Sequence, residues 1–363
     1  VSATTRRPEA LLAGRGGAVE LLRLPAYLMG ALSSVRNRLY DRGWLRTQRL
    51  QLPVVSVGNL SVGGTGKTPM VVWLARALAA RGFRPGILSR GYRAGRGAEG
   101  ATLNDEGRLL ASLLPDVPQV QRADRVRGAL ELERRGADLI VLDDGFQHRR
   151  LARDLDLCLI DSTRPWGLPA ASGGGAPVRA VLPRGLLRED PRWLARASAL
   201  VLTRVEDLPA GALARLEAEL EATVPGVARL CAQHRPVALR AGERRLDLAE
   251  LRGRPVQLVS GIGNPEAFER TARGLGADLR GVHAFPDHHE FTRAELQPLC
   301  GAGELLVTAK DAVKLAALDL PHLVLEVELE ITRGLAVLEA LLDALPVSQR
   351  TLEREAAHSG LHG

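Results

Sequence analysis

Between Pro53 and Ala80 the order of residue types leaves little freedom in the local fold. Pro53-Val54-Val55-Ser56-Val57 reads as a short buried β-strand and Met70 to Ala80 as a helix, with Gly63-Gly64-Thr65-Gly66-Lys67-Thr68-Pro69 between them. Strand, glycine turn and helix together make an anion cradle. The glycines let backbone N–H groups curl around a phosphate, and the helix N-terminus adds partial positive charge. In this arrangement Lys67 reaches the β- and γ-phosphates of a nucleotide, and the Thr68 hydroxyl is placed for magnesium. The strict pattern GxxxxGK[ST] has glycine where this chain has Ser61. A glycine-rich hairpin turn would explain neither the lysine nor the helix behind it.

Lysine is rare: of 49 basic residues three are Lys and 46 Arg. Where positive charge alone suffices the chain writes Arg, so a Lys marks a site that a planar, bidentate guanidinium does not suit. Lys67 is one, and Lys310 and Lys314 are the others.

At 363 residues, about two domains are expected, and 45% hydrophobic content suits sizeable cores. The formal charge of +7 comes with scattered arginines and only 3% aromatic residues, so no basic surface interleaved with base-stacking rings is expected, and no nucleic-acid partner. Cys158, Cys231 and Cys300 lie far apart and form no CxxC pair. Neither a zinc site nor a disulfide framework is suggested, and a reducing, cytoplasmic setting fits.

No uninterrupted apolar run reaches the ~18 residues of a spanning helix, and no signal-peptide core is evident, so the chain is not expected to cross a membrane. Leu21, Leu24, Leu28, Leu32, Val35 and Leu39 recur at spacings of three and four, with Pro25 near the helix start and Gly43 past its end. Arg23, Arg36, Arg38 and Arg42 accompany this stripe, and Tyr27, Tyr40 and Trp44 suit an interface. From the residues alone the helix either lies on an anionic bilayer or packs on its own domain.

Alternating strand-like and helix-like segments argue for α/β layers around mainly parallel sheets. Residues 91–100 and 170–180 read as Gly/Ala/Arg-rich loops. The expected organisation is an N-terminal amphipathic region at 1–48, a P-loop NTPase-like domain at 49–225, a β-type linker at 226–250, a smaller α/β domain at 251–345 and a polar tail at 346–363. A second motif, Ala137 to His148, is an apolar strand ending Asp143-Asp144-Gly145-Phe146-Gln147-His148. Carboxylates at the end of such a strand emerge beside a phosphate loop and help to hold magnesium, so Asp143 and Asp144 are candidates.

Several segments in this order resemble one family. They are Val57-Gly58-Asn59-Leu60 running into GGTGKTP, Ser89-Arg90-Gly91-Tyr92, Asn104-Asp105-Glu106, DDGFQH at 143–148, LPRGLLRE at 182–189, Phe285-Pro286-Asp287-His288-His289 and Thr308-Ala309-Lys310-Asp311-Ala312-Val313-Lys314. The chain resembles the tetraacyldisaccharide 4′-kinases, membrane-associated lipid A kinases of Gram-negative bacteria. The resemblance implies ATP-dependent phosphorylation of the 4′-hydroxyl of a tetraacylated glucosamine disaccharide 1-phosphate, giving lipid IVA. It implies two α/β/α domains joined by a two-stranded β linker, an active site in the cleft between them, and an N-terminal helix on the cytoplasmic face of the inner membrane, peripheral; a monomer is expected, although the sequence does not fix the oligomeric state.

The resemblance also implies roles for single residues. Asp105 is the base for the sugar hydroxyl, assisted by His288. Arg188 engages phosphate oxygens, Glu189 helps to hold magnesium, and Arg90 faces the phosphates. Gln147 and His148 orient the acids or water. The chain departs from the family where GDEP becomes Asn104-Asp105-Glu106-Gly107 and TEKD becomes Thr308-Ala309-Lys310-Asp311. Arg184 replaces a usual alanine and is expected to be solvated. A membrane-bound P-loop regulatory ATPase is the alternative from another class, and a soluble small-molecule kinase a third.

Overall fold

The computed structural model describes residues 12–14, 16–91, 103–168, 177–287 and 289–347. In chain order the elements are α1 (Arg23–Asp41), β1 (Val54–Asn59), α2 (Lys67–Ala80), β2 (Pro85–Ser89), α3 (Asp105–Leu113), β3 (Gln119–Gln121), α4 (Arg125–Arg134), β4 (Leu139–Asp143), β5 (Leu155–Asp161), β6 (Ala199–Thr203), α5 (Ala212–Thr223), β7 (Ala228–Ala241) and β8 (Arg244–Leu246). There follow β9 (Pro255–Ser260), α6 (Pro265–Gly274), β10 (Asp278–Ala284), β11 (Glu304–Thr308), α7 (Ala309–Leu315), β12 (His322–Arg333) and α8 (Leu335–Asp343). The chain divides into two compact units. One comprises Val1–Arg90, Asp116–Gln233 and Ile331–Gly363, the other Gly91–Pro115 and His234–Glu330. The boundaries fall within β7 and β12, and α3, which the sequence grouped with 49–225, belongs to the second unit.

In the first unit the sheet order is β3-β2-β4-β1-β5-β6-β7, and the described pairings along it are parallel. β1, β4, β5 and β6 are buried along their whole length. Continuous burial is what a parallel sheet covered on both faces requires, and it explains why these strands read as apolar runs. One cluster gathers Leu88, Val126, Leu132 and Ile140, and another Phe146, Cys158, Trp166 and Leu220. Each side chain so buried contributes about 1.5–3 kcal/mol. The fold is the α/β/α arrangement expected from the phosphate loop and the alternating pattern.

A close approach sets the acidic turn against β1. A Cβ on Gly58 would lie 2.5 Å from Phe146 Cβ and 2.6 Å from the Phe146 backbone nitrogen, and one on Gly145 would lie 2.5 Å from Ser56 Oγ. A side chain at Gly58 would have to displace the Phe146 backbone, and one at Gly145 the buried Ser56 and Leu142 side chains. The turn after β4 therefore lies beside the strand that leads into the phosphate loop.

α1 packs on this unit through small and polar residues, Ala26, Ser34 and Asn37, rather than through its leucines. Asn37 Nδ2 donates to Glu189 Oε2 at 2.7 Å, Arg36 Nη2 to the Gln147 carbonyl at 2.8 Å, and Arg149 Nη1 to the Asn37 carbonyl at 2.9 Å. The apolar stripe faces outward: Leu21, Leu24, Leu28 and Leu32 are 62–78% exposed. The helix therefore does pack on its own domain, through its small and polar face, and leaves the stripe free for an interface. By length and composition alone Gly17–Asp41 would also pass as a membrane-crossing helix. Arg36 and Asn37 bond this helix to the domain.

Arg184 corrects another expectation. Far from solvated, it is 1% exposed and donates to the carbonyls of Leu12 at 2.6 Å and Gly14 at 2.9 Å, and to Glu20 Oε1 at 2.8 Å. It ties the segment before α1 to the 182–189 run.

The second unit has the order β10-β9-β11-β12-β7, with parallel pairing of β9 to β10 and to β11, and of β11 to β12. β8 closes an antiparallel hairpin on β7. Leu258, Phe268 and Leu306 belong to one core cluster, and Val259, Phe291 and Leu315 to another. Among the described residues the cysteines are free, as the spacing implied.

Candidate phosphate-binding and catalytic sites

In the first unit the phosphate loop joins β1 to α2. Gly63 and Gly66 have φ of 124° and 88°, in the left-handed region that suits glycine, and Gly66 caps α2. Ser61 is not strained in place of the pattern's glycine. It forms an antiparallel bridge with Leu187, and the bonds Val62 N to Leu186 O at 2.8 Å and Arg188 N to Leu60 O at 2.9 Å zip the loop's leading edge to the 182–189 run. That zip delivers Arg188 to the site. Thr65 is 3% exposed, and its Oγ1 is buried without a hydrogen-bond partner.

Lys67, the first residue of α2, donates to Asn59 Oδ1 at 3.2 Å, and its Nζ lies 3.6 Å from Asp144 Oδ1. Arg188 Nη1 donates to the same Asp144 oxygen at 2.7 Å and to Gln147 Oε1 at 3.2 Å. Asp144 itself sits at φ 54°, a left-handed conformation uncommon outside glycine. Burial alone would raise its pKa, but the Lys67 ammonium and the Arg188 guanidinium outweigh it and hold the carboxyl below its ordinary range. Asp143 ends β4 at 5% exposure. Lys67, Asp144 and Arg188 thus meet in one charged constellation, and Thr68 lies one residue further along α2.

Glu189 is placed differently from the expected metal ligand. At 2% exposure, its Oε1 accepts from Arg196 Nη2 at 2.5 Å and Gln147 Nε2 at 3.0 Å, and its Oε2 from Asn37 Nδ2 at 2.7 Å and Arg196 Nη1 at 3.1 Å. Both oxygens are engaged, so Glu189 anchors α1 and Gln147 rather than offering an open lone pair. Among the described residues no cluster of three or more His, Cys, Asp or Glu side chains is placed to hold a metal.

His148 has its pKa lowered to about 4, by burial first and then by Arg125, Arg153, Arg36 and Arg150. Its imidazole is neutral at pH 7. Arg90 is exposed just past β2, while Tyr92 and His288 fall outside the described residues.

In the second unit Asp105 opens α3 at 8% exposure and accepts from Arg108 Nη2 at 2.6 Å. The departure from GDEP is accommodated locally, because Asn104 caps the helix by accepting from Gly107 N at 2.9 Å. Lys310 Nζ donates to Asp287 Oδ1 at 2.9 Å and lies 3.9 Å from Glu106 Oε1. Lys314 is buried. It pairs with Asp311 Oδ1 at 3.2 Å, while Asp311 Oδ2 accepts from Gly261 N at 3.1 Å and Thr308 Oγ1 at 2.8 Å. His289 stacks on Phe285 at 4.7 Å and bonds Glu295 at 3.2 Å, which pins the residue after His288. Asn59, Arg125 and Arg196 were not singled out in the sequence. Asn59 could have been, as the last residue of the strand entering the loop, but among so many arginines nothing marks the other two.

Known proteins bear directly on this arrangement. The sequence profile described as Tetraacyldisaccharide-1-P 4′-kinase matches residues 18–346. Proteins named tetraacyldisaccharide 4′-kinase are 42% identical in Anaeromyxobacter sp. (strain K), covering 93% of each chain, and 38% identical in Aeromonas salmonicida (strain A449), covering 92% of this chain and 95% of that one. A crystal structure of the "apo" form of LpxK from Aquifex aeolicus in complex with ATP is 32% identical, with a TM-score of 0.66 over 88% of this chain and 96% of that chain. With its phosphate loop, DDGFQH turn and second α/β unit matched along nearly its whole length, this chain belongs to the tetraacyldisaccharide-1-P 4′-kinase family.

Proposed function

We propose that the chain performs its family's reaction with ATP on the Gly63–Thr68 loop and with Asp105 as the base for the accepting hydroxyl. The reaction transfers the γ-phosphate to the 4′-hydroxyl of tetraacyldisaccharide 1-phosphate, forming lipid IVA. One observation carries the nucleotide assignment: Lys67, the first residue of α2, and Arg188 share the Asp144 carboxylate beside a glycine cradle. The unpartnered Thr65 hydroxyl fits a phosphate oxygen. No observation favours the regulatory ATPase or a soluble small-molecule kinase.

Lys67 and the N-terminus of α2 neutralise charge on the phosphates, and Arg188 stands one carboxylate away to take up charge that grows during transfer. Thr68 and the Asp143–Asp144 pair are oxygen donors of the kind magnesium takes alongside phosphate and water. Magnesium, when bound, supplies charge neutralisation at the phosphate oxygens. Gln147, held to the Asn59 carbonyl at 2.9 Å, orients the Arg188 side of the site. Asp105 removes the proton of the attacking hydroxyl, assisted by His288, and Arg90 stands with the nucleotide phosphates.

A lipid acceptor implies membrane association. We place the chain peripherally on the cytoplasmic face of the inner membrane, as a monomer, with the exposed leucines of α1 in the interface and Arg23, Arg38 and Arg42 toward anionic headgroups. The site assignment is tested by Asp105→Ala: turnover should fall by about 10²–10⁴ with ATP affinity unchanged. Wild-type turnover would remove Asp105 from the mechanism.

A further inference from the structure

Arg125 is the first residue of α4, where a positive charge is disfavoured by the helix dipole, and it is 3% exposed. Long charged side chains are almost never buried to this degree without a carboxylate. Yet among the described residues no carboxylate forms an ion pair with it. Only Nη1 is bonded, to the carbonyls of Arg122 at 2.7 Å and Ala123 at 3.3 Å, and Nε is buried without a partner. A buried guanidinium left in this state costs stability.

Its place in the fold suggests what compensates it. The segment 122–125 follows β3 and leads into α4. Arg122 N bonds the Ser89 carbonyl at 3.0 Å, which sets this segment beside the carboxyl end of β2. A Cβ on Gly128 would lie 2.5 Å from Leu88 Cδ1, so the first turn of α4 presses onto that strand end. β2 pairs with β4, Leu88 opposite Leu142, and β4 pairs with β1, Val57 opposite Asp143. The carboxyl ends of these strands, where open α/β sheets bind ligands, carry Arg125, Asp143 and the phosphate loop in one row. Electrostatics agree: burial lowers the Arg125 pKa, Asp144 and Asp143 raise it, and Arg90 lowers it further.

We infer that Arg125 binds a phosphate oxygen at the carboxyl edge of the first unit's sheet, a phosphorylated substrate supplying the direct anionic partner that its buried guanidinium lacks. The inference rests on the phosphate loop being the nucleotide site. Two substrates carry such a group, the nucleotide and the 1-phosphate of the acceptor, and their Michaelis constants separate them.

The test uses full-length enzyme with ATP and with acceptor in mixed micelles, comparing wild type, Arg125→Met and Arg125→Lys. Activity of the wild type checks the nucleotide-site reading by itself, so only the variants bear on Arg125. Arg125→Met, similar in length and uncharged, should match or exceed the wild-type Tm and lose roughly ten- to hundredfold in kcat/KM. A raised KM for ATP assigns the oxygen to the nucleotide, and a raised KM for the acceptor with ATP binding unchanged assigns it to the acceptor. Unchanged kcat/KM for both substrates overturns the inference, as does a lowered Tm with both KM values intact, which would mean a purely structural arginine. Should Arg125→Met not fold, Arg125→Lys decides: weaker affinity for one phosphorylated substrate supports the assignment, and wild-type kcat and KM values overturn it.

Discussion

Lys67 Nζ stands 3.6 Å from Asp144 Oδ1, so the lysine of the phosphate loop and the acid after β4 are already an ion pair before any nucleotide is considered. Arg188 holds the same oxygen at 2.7 Å. Two cations thus share one carboxylate, and the surplus positive charge suits an incoming phosphate.

Asp144→Asn should therefore release both cations. Turnover is expected to fall by at least about 10²-fold, as when a preorganised electrostatic group is removed. The pKa of Asp144 is depressed in the folded state, so its stabilising contribution is present above the ordinary carboxylate value of about 3.9 and is lost as pH falls through the folded value. Acid unfolding of the two proteins should show a stability gap at pH 7 that closes below about pH 4. A gap independent of pH would contradict the ion-pair account.

His148 gives a pH dependence in a different window. Its folded pKa is lowered to about 4 from 6.5, so folding is unpenalised above 6.5 and loses stability as pH falls from 6.5 toward 4, where only the unfolded chain takes up the proton. Denaturant titrations should show that His148→Gln loses less stability than wild type across this interval. Parallel losses would mean that the imidazole protonates freely in the folded protein.

Lys310 bridges Asp287 and Glu106, the neighbours in sequence of His288 and Asp105. Lys310→Met should lower kcat by about tenfold or more while leaving ATP affinity and Tm near wild type, because misplacing a catalytic group costs rate rather than nucleotide binding. Steady-state kinetics beside a nucleotide-binding titration reads this. By contrast, Lys314→Met leaves Asp311 buried and unpaired and should cost about 3–5 kcal/mol of stability, visible in denaturant unfolding.

On α1, Leu24, Leu28 and Leu32 are 78%, 63% and 62% exposed, so replacing them with Ser should leave Tm unchanged. Vesicle co-sedimentation should nevertheless drop, since each inserted leucine is worth about 1.5–3 kcal/mol. A lowered Tm with unchanged sedimentation would mean that the stripe packs against protein.

The parts legible in the sequence are those where residue type and spacing carry the physics. β1, the glycine turn and α2 follow from an apolar run, glycines at positive φ and a lone lysine. The α1 stripe was equally visible, but its direction was not, because Ser34 and Asn37, not leucines, are the residues α1 buries against the protein. Arginine was least legible. Arg184 and Arg125 are buried, while Arg90 and Arg38 are exposed, and in a chain with 46 arginines no local pattern separates anchor from surface. Glu189 looked like a metal ligand for the same reason: its partners Asn37 and Arg196 lie 152 and 7 residues away, and only the fold shows both oxygens engaged.

The most direct test follows the phosphate itself. Wild-type enzyme is mixed with γ-labelled ATP, magnesium and tetraacyldisaccharide 1-phosphate in vesicles, beside Lys67→Ala, and the label is traced by chromatography of the lipid. Label on the 4′-position with wild type, and its loss by at least about 10²-fold with Lys67→Ala, is the predicted result. Label released only as inorganic phosphate, or lipid labelling undiminished in Lys67→Ala, would contradict it.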